Sequence, residues 1–263
     1  MRFWVLLSAL SMPAVAWLTQ RGVFGPETGE LSDHYPTLLA AAGYAFSIWG
    51  LIFLLDAVFG VWTLMKHRET SARLRPAAAL GFALSAAWMP IFSLQLFWLA
   101  LIVIWASLAC LAYCAVSLSR GSLGRGERWL AWAPLSLHAG WLSLAVFLNT
   151  AQVIVAYRLL STQAMLPWSM VLFVGAAALL LALNARMNGN VPYTAAALWG
   201  LIAVYVEQAR AALPGSQVTG WTAVAIAGLL FAQTVYLRLR ASRGRPAPEG
   251  AWRSGGRDAE RLA

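Results

Sequence analysis

Charged residues are scarce in this sequence. Asp, Glu, Lys and Arg together make up only 11% of the chain, and hydrophobic residues make up 60%, whereas a soluble domain carries about 25% charged residues. The apolar residues come in long blocks of roughly 20, which is the length that a helix needs to cross the hydrocarbon layer. The period-two alternation typical of membrane barrel strands is not found. The composition therefore excludes an ordinary soluble domain and predicts an all-α integral membrane protein.

Cysteine is also rare, and the few candidates for catalysis or metal binding stay incomplete. Cys110 and Cys114 lie one helical turn apart inside an apolar block. No further cysteine or nearby histidine completes a metal-ligand set, so we interpret the two as small apolar residues on one helix face. No metal triad, nucleophile elbow or carboxylate pair is visible either. We therefore predict no catalytic residue, no metal site, no required cofactor and no enzymatic activity.

The apolar blocks divide the chain into eight predicted transmembrane helices. Their approximate limits are 3–20, 42–65, 76–95, 98–118, 129–156, 166–186, 191–211 and 218–238. Pro90 and Gln95 favour a break between the third and the fourth, because proline disrupts a helix and the combined block is too long for one crossing.

The basic residues predict how the chain is oriented. The net charge is +9, and with the N-terminus inside, sixteen of the 19 Lys and Arg residues fall on inner segments and three on outer ones. This bias is the positive-inside pattern. We expect a multi-pass protein of a bacterial cell membrane, with both termini cytoplasmic, and no nucleic acid as a partner. The basic tail 241–263 is predicted to be disordered and to lie near anionic headgroups.

Tryptophan is abundant, with fourteen in the chain. About half lie near predicted helix ends, where interfacial tryptophans are common. Trp49 and Trp88 fall instead in the outer halves of the second and third helices, and Trp141 falls near the middle of the fifth. If these three helices are neighbours, the indoles surround a cavity that opens outward beneath the long first loop, 21–41. Such an apolar pocket with a few polar groups is typical of a small-molecule site.

Three motifs carry these tryptophans. They are GWLSLAVFLN (140–149), AAWMPIF (86–92) and GYAFSIWGLIFLL (43–55). In this order and on these helices, they resemble the fifth-, third- and second-helix patterns of the TspO family, the translocator or tryptophan-rich sensory proteins. The resemblance covers about residues 1–156 and implies a TspO-like five-helix bundle. It also favours keeping residues 1–16 as the first helix, although Arg2 and the following apolar stretch resemble a signal peptide.

The resemblance implies a ligand pocket and its residues. The pocket would be lined by Trp49, Phe53, Met89, Phe92, Trp141 and Ala145. Tyr44 and Phe46 fall near its mouth, Ser85 and Asn149 take the family's polar positions, and Trp88 adds the third indole. We expect a hydrophobic ligand in the lipid bilayer, such as a porphyrin, haem or sterol-like lipid, and a homodimer fits the family.

The chain also departs from the family pattern. Leu137 and His138 replace a common Pro-Tyr, and about three additional transmembrane helices follow the bundle. We therefore predict a five-helix core at 1–158, three additional helices at 159–240 and the tail at 241–263.

His138 permits two interpretations. Its imidazole is a candidate ligand for a haem iron or a proton acceptor, and otherwise a neutral ring bonded to a backbone carbonyl. Asp56 and Glu207 also lie inside predicted helices, where an unpaired carboxylate is costly.

These residues keep three functions in view. The leading hypothesis is a protein that binds and senses a flat apolar ligand. A proton-coupled small-molecule transporter using Asp56, His138 and Glu207 is the alternative, although no inverted repeat or pair of broken helices supports it. An enzyme that degrades a bound porphyrin is less favoured.

Overall fold

The computed structural model describes residues 1–65 and 69–243, and all of its regular structure is helical in those two ranges. In the first half of the chain the helices are α1 (Arg2–Gln20), α2 (Thr28–His34), α3 (Ile48–Met65), α4 (Glu69–Ser93) and α5 (Phe97–Arg120). A 3₁₀ turn, Gly43–Ser47, leads into α3.

The second half begins with α6 (Arg125–Glu127), a single turn that continues through a π-helical turn, Arg128–Trp132, into α7 (Ala133–Ala156). It is followed by α8 (Met165–Arg186), α9 (Val191–Gln208) and α10 (Ser216–Arg243). The predicted break between the third and fourth spans is confirmed: α4 ends at Ser93, α5 begins at Phe97, and Gln95 between them has a φ of 57°.

A long helix occupies each of the eight predicted positions, but only seven are long and apolar enough to cross a membrane within the described ranges. The exception is α9, which has 18 residues and ends in Glu207 and Gln208. This helix packs against both α7 and α10. Because its flanks meet protein, α9 needs fewer apolar residues than a helix that faces lipid.

The first five long helices form a closed ring. Helix α1 packs against α3 and α4, α4 packs against α5, α5 packs against α7, and α7 contacts α3. Two glycines let neighbouring helices approach closely. A Cβ at Gly60 would lie 3.0 Å from the Cα of Leu6, and one at Gly81 would lie 2.8 Å from the side chain of Leu111. Small residues serve this purpose in membrane bundles. The ring agrees with the predicted five-helix membrane bundle.

The last three helices pack on the α7 side of this ring. Helix α9 lies against α7 and α10, and α8 also contacts both of them. At Gly140 a Cβ would overlap the carbonyl oxygen of Tyr193, and at Gly200 it would lie 2.6 Å from Leu144. These two glycines bring α7 and α9 into backbone contact, and α7 becomes the most buried of the membrane-spanning helices.

A polar cluster fixes the turn between α8 and α9. Asn190 donates from Nδ2 to the hydroxyls of Ser136 at 2.7 Å and Ser119 at 3.1 Å, which lie on α7 and α5. Asn184 donates to the hydroxyl of Thr234 on α10 at 2.9 Å. The bonds thus link the added helices to the ring, and the division between residues 158 and 159 stays a prediction. Of the predicted tail, residues 244–263 lie outside the described residues.

Candidate functional site

Trp49 is the centre of an aromatic cluster inside the ring. Its ring stacks on Phe53 with centroids 5.4 Å apart and on Trp88 at 6.4 Å. It also meets the rings of Trp141 at 6.1 Å and His138 at 5.6 Å edge to face. The cluster joins α3, α4 and α7, which are the three helices that carry the sequence motifs. Such aromatic contacts add packing energy beyond the area they bury.

Hydrogen bonding orients one of these indoles. The Nε1–H of Trp88 donates to Oδ1 of Asn149 at 3.0 Å, and Nδ2 of Asn149 donates to the carbonyl of Ala145 at 3.2 Å. Trp141 is equally buried, but no acceptor within the described residues meets its Nε1–H. An indole N–H usually finds a partner when it is buried, so the Trp141 donor is available to a polar group in the cavity that this ring lines.

An enclosed cavity lies on one side of Trp49. Its volume is about 40 Å³, which is room for about three water molecules. Residues of the five-helix ring form part of its lining, and residues of the first loop form the rest. The lining from the predicted site comprises Phe46, Trp49, Trp88, Phe92, Trp141, Ala145 and Asn149.

A larger groove also borders Trp49 and measures about 530 Å³. It runs between α1, the start of α3 and the end of α4. Phe46, Trp49 and Trp88 line both spaces, and Phe53 and Met89 line the groove alone. Its edges also carry polar groups from Thr19, Gln20, Glu27 and Ser47. Since small-molecule pockets measure roughly 300–1,000 Å³, the groove has the volume of a ligand site.

Beneath the aromatic cluster runs a chain of buried polar side chains. Nδ1 of His138 lies 2.8 Å from Oδ2 of Asp56, and Nε2 lies 3.2 Å from Oγ of Ser85. Ser85 in turn lies 2.8 Å from Oγ of Ser107, which donates to the carbonyl of Gly81 at 2.9 Å. Asp56 and His138 are both fully buried.

The proton positions follow from these bonds. Ser107 uses its hydroxyl proton on Gly81, so the hydroxyl of Ser85 donates to Ser107 and accepts from Nε2–H of His138. One proton is then shared between Nδ1 and the Asp56 carboxyl, and the pair is neutral overall whichever atom carries it. A neutral pair is what a low-dielectric interior requires.

Ten of the predicted site residues therefore lie at or around Trp49. Each of them lines one of the two spaces or contacts the side-chain ring of Trp49. Nine of them line a cavity: Phe46, Trp49, Phe53, Trp88, Met89, Phe92, Trp141, Ala145 and Asn149. His138 touches Trp49 but lines neither space, and Ser85 lies behind it. Both ring nitrogens of His138 face side chains, so neither is directed at a place where a haem iron would bind.

Tyr44 lies elsewhere. Its ring is 43% exposed and packs edge to face on Trp199 of α9, with centroids 5.3 Å apart. It lines neither the enclosed cavity nor the groove. Glu207 is similarly remote from Asp56, since it borders a surface cavity with the first loop. Of the three groups suggested for a proton path, Asp56 and His138 are therefore in contact and Glu207 does not join them.

Several site residues were not identified from the sequence. Tyr35, Thr37 and Gln152 line the enclosed cavity, and Ile104 reaches it from α5. The loop residues carry no motif that distinguishes them from an ordinary connection. Gln152 offered one signal, because an amide inside an apolar span needs a partner. It finds one in the carbonyl of Leu31, at 3.1 Å.

These features define a helical membrane protein with an aromatic-lined cavity and groove at a five-helix ring. Comparison with known families gives the particular relationship: the model of the TSPO-like protein family matches residues 2–236. The chain belongs to this family, as its motifs predicted, and the match includes the last three helices as well as the ring. No curated protein and no solved structure gives a match.

Proposed function

We propose that the protein binds and senses a flat, largely apolar ligand, a tetrapyrrole or a sterol-like lipid, in the groove beside Trp49. The family is one of membrane proteins that bind hydrophobic ligands, and this supports the general class. The observation that carries the finer proposal is the groove itself, where the stacked rings of Trp49 and Phe53 line a space of about 530 Å³.

The sizes of the two spaces favour the groove as the place where the ligand binds. A tetrapyrrole does not fit the enclosed cavity of about 40 Å³, whereas the groove has the volume of a drug-sized ligand site. Aromatic side chains offer faces for a planar ring to stack on. The polar groups along the groove, from Gln20 to Ser47, suit the polar edge of such a ligand.

The groove offers a substitution that fills it without disturbing the helix. Gly50 lines the groove, and a Cβ there would meet no atom within 4 Å. We expect Gly50→Phe to weaken the binding of protoporphyrin by at least about tenfold, which corresponds to 1.4 kcal/mol. The measurement is a titration of purified protein that follows porphyrin absorbance and so does not depend on which tryptophans are present.

Two further variants make the test specific. Gly228→Phe on α10 is the matched control, because a Cβ there also meets nothing within 4 Å and Gly228 lines neither space. It should bind as the wild type does. Ala145→Leu narrows the enclosed cavity alone. Loss of binding in Ala145→Leu with unchanged binding in Gly50→Phe would place the ligand in the enclosed cavity and overturn the groove.

A proton-coupled transporter is the weaker candidate. Asp56 and His138 form a neutral pair that lines neither space, and Glu207 is not part of it. Uptake of a small molecule into proteoliposomes that depends on a proton gradient and is lost in Asp56→Asn would favour transport over sensing.

A further inference from the structure

The first loop covers the enclosed cavity and borders the groove. Tyr35, Thr37, Ala40 and Ala41 form part of the cavity lining. The same stretch of chain continues into the 3₁₀ turn Gly43–Ser47, whose Gly43, Phe46 and Ser47 line the groove. The position of residues 37–47 therefore sets the shape of both spaces.

Helix α9 forms hydrogen bonds with the backbone of this part of the loop. Nε2 of Gln208 donates to the carbonyls of Thr37 at 3.1 Å and Ala40 at 3.4 Å. The amide of Ala42 donates to the carbonyl of Ala203 at 3.0 Å. Gln208 is 2% exposed, so these bonds are shielded from water and the loop carbonyls cannot readily exchange them for solvent.

A third attachment reaches the turn itself. Nε1 of Trp199 donates to the carbonyl of Ala45 at 3.0 Å, and its ring packs against Tyr44. Ala45 immediately precedes Phe46, the ring that lines both spaces and meets Trp141 at 6.3 Å. Trp199 therefore fixes the backbone that aims Phe46 into the site, although Trp199 itself lines neither space.

The five-helix ring holds the other half of the loop. Gln152 of α7 donates to the carbonyl of Leu31, and the hydroxyl of Tyr35 donates to Oε1 of Gln95 at 3.1 Å. The ring thus secures residues 31–35, and α9 secures residues 37–45. The two attachments divide the loop between the five-helix ring and the helices that follow it.

We propose that α9 anchors the lid of the ligand site, and that Gln208 and Trp199 are positioning residues which set how fast ligand enters and leaves. The inference rests on the proposed function for its ligand, but the anchor itself concerns only the loop. It gives the added helices a role in binding without requiring them to contact the ligand.

Hydrogen–deuterium exchange of the full chain tests the anchor without any ligand. We expect Gln208→Leu to raise the exchange rate of the amides in residues 37–45 by about fivefold or more, because two hydrogen bonds to the loop are lost. Residues 31–35 should be unaffected. Gln233→Leu is the matched control: Gln233 donates to the carbonyl of Leu181, far from the loop in sequence, and lines neither space. Unchanged exchange at 37–45 in Gln208→Leu would overturn the anchor.

Stopped-flow mixing with protoporphyrin tests the consequence. Gln208→Leu and Trp199→Phe should each accelerate both association and dissociation by about threefold to tenfold, with a smaller change in Kd, whereas Gln233→Leu should not. A merely structural defect would instead lower the bound fraction without changing the rates. If the wild type does not bind porphyrin, the proposed ligand fails while the exchange result still decides the anchor. If Gln208→Leu and Trp199→Phe keep the wild-type rates of association and dissociation although hydrogen exchange of the loop is raised, the loop is not a lid.

Discussion

Asp56 and His138 lie next to the aromatic cluster, and each is fully buried. Their bond joins α3 to α7, and the contact of Ser85 with the same ring adds α4. Oδ1 of Asp56 has no partner within the described residues, so the carboxyl depends on His138 for its one hydrogen bond there. The side chain of His138 therefore determines whether the buried Asp56 carboxyl has a hydrogen-bond partner.

Replacing His138 alone should destabilise the protein more than replacing both members of the pair. In His138→Leu the Asp56 carboxyl loses its partner in an interior site, which costs about 3–5 kcal/mol. In the double variant Asp56→Leu, His138→Leu the polar groups are gone together, so much of that loss should be recovered. Thermal unfolding in detergent measures both. A double variant with a lower Tm than His138→Leu would show that the two residues contribute independently.

The pair also shows what the sequence could and could not predict at this scale. Each residue stood out as a polar group inside an apolar block, but no pattern indicates that positions 82 residues apart would meet. The proximity of Trp49, Trp88 and Trp141 was easier to predict, because the three occur in motifs that resemble the pattern of one family. Tyr44 shared a motif with Trp49 yet packs on Trp199, since the helix it contacts lies outside the five-helix pattern.

At the scale of helices, the long apolar blocks were sufficient to predict each long helix, because the bilayer fixes how many apolar residues a crossing needs. How α9 packs was not predictable. Its contacts with the ring depend on Gly140 and Gly200, where the lack of a side chain admits Tyr193 and Leu144. Hydrophobicity does not distinguish such glycines from those facing lipid, such as Gly228, where a Cβ meets nothing within 4 Å.

That difference predicts opposite effects for one chemical change. In Gly140→Ala the new methyl group would overlap the Tyr193 carbonyl, so α7 and α9 must separate, and we expect a loss of about 1–3 kcal/mol. In Gly228→Ala no contact is disturbed, and the helix gains up to about 1 kcal/mol from alanine's higher helix propensity. The Tm values of the two variants should therefore lie on opposite sides of the wild type. Equal Tm values would mean that α7 and α9 are not in close contact at Gly140.

At the scale of the whole molecule, the long helices form one connected assembly rather than a ring with a loose appendage. Helix α9 contacts α7 along its length and also holds the first loop. The family match across residues 2–236 covers the ring and the added helices together. Cutting the chain after the fifth long helix would expose the buried flank of α7 and release residues 37–45 of the loop, so the ring is not expected to bind ligand normally alone.

The orientation of this assembly gives the last prediction. If sixteen of the 19 basic residues lie inside, the loop after α5 is cytoplasmic and the loop after α7 is external. Ser122 and Thr162 are exposed residues on these two loops. A membrane-impermeant maleimide applied to intact cells should therefore label Thr162→Cys and leave Ser122→Cys unlabelled until the membrane is opened. Cys114 is buried and Cys110 only partly exposed within an apolar helix, so the wild type supplies the background. The reverse labelling pattern would place the groove beside Trp49 and the first loop on the cytoplasmic face.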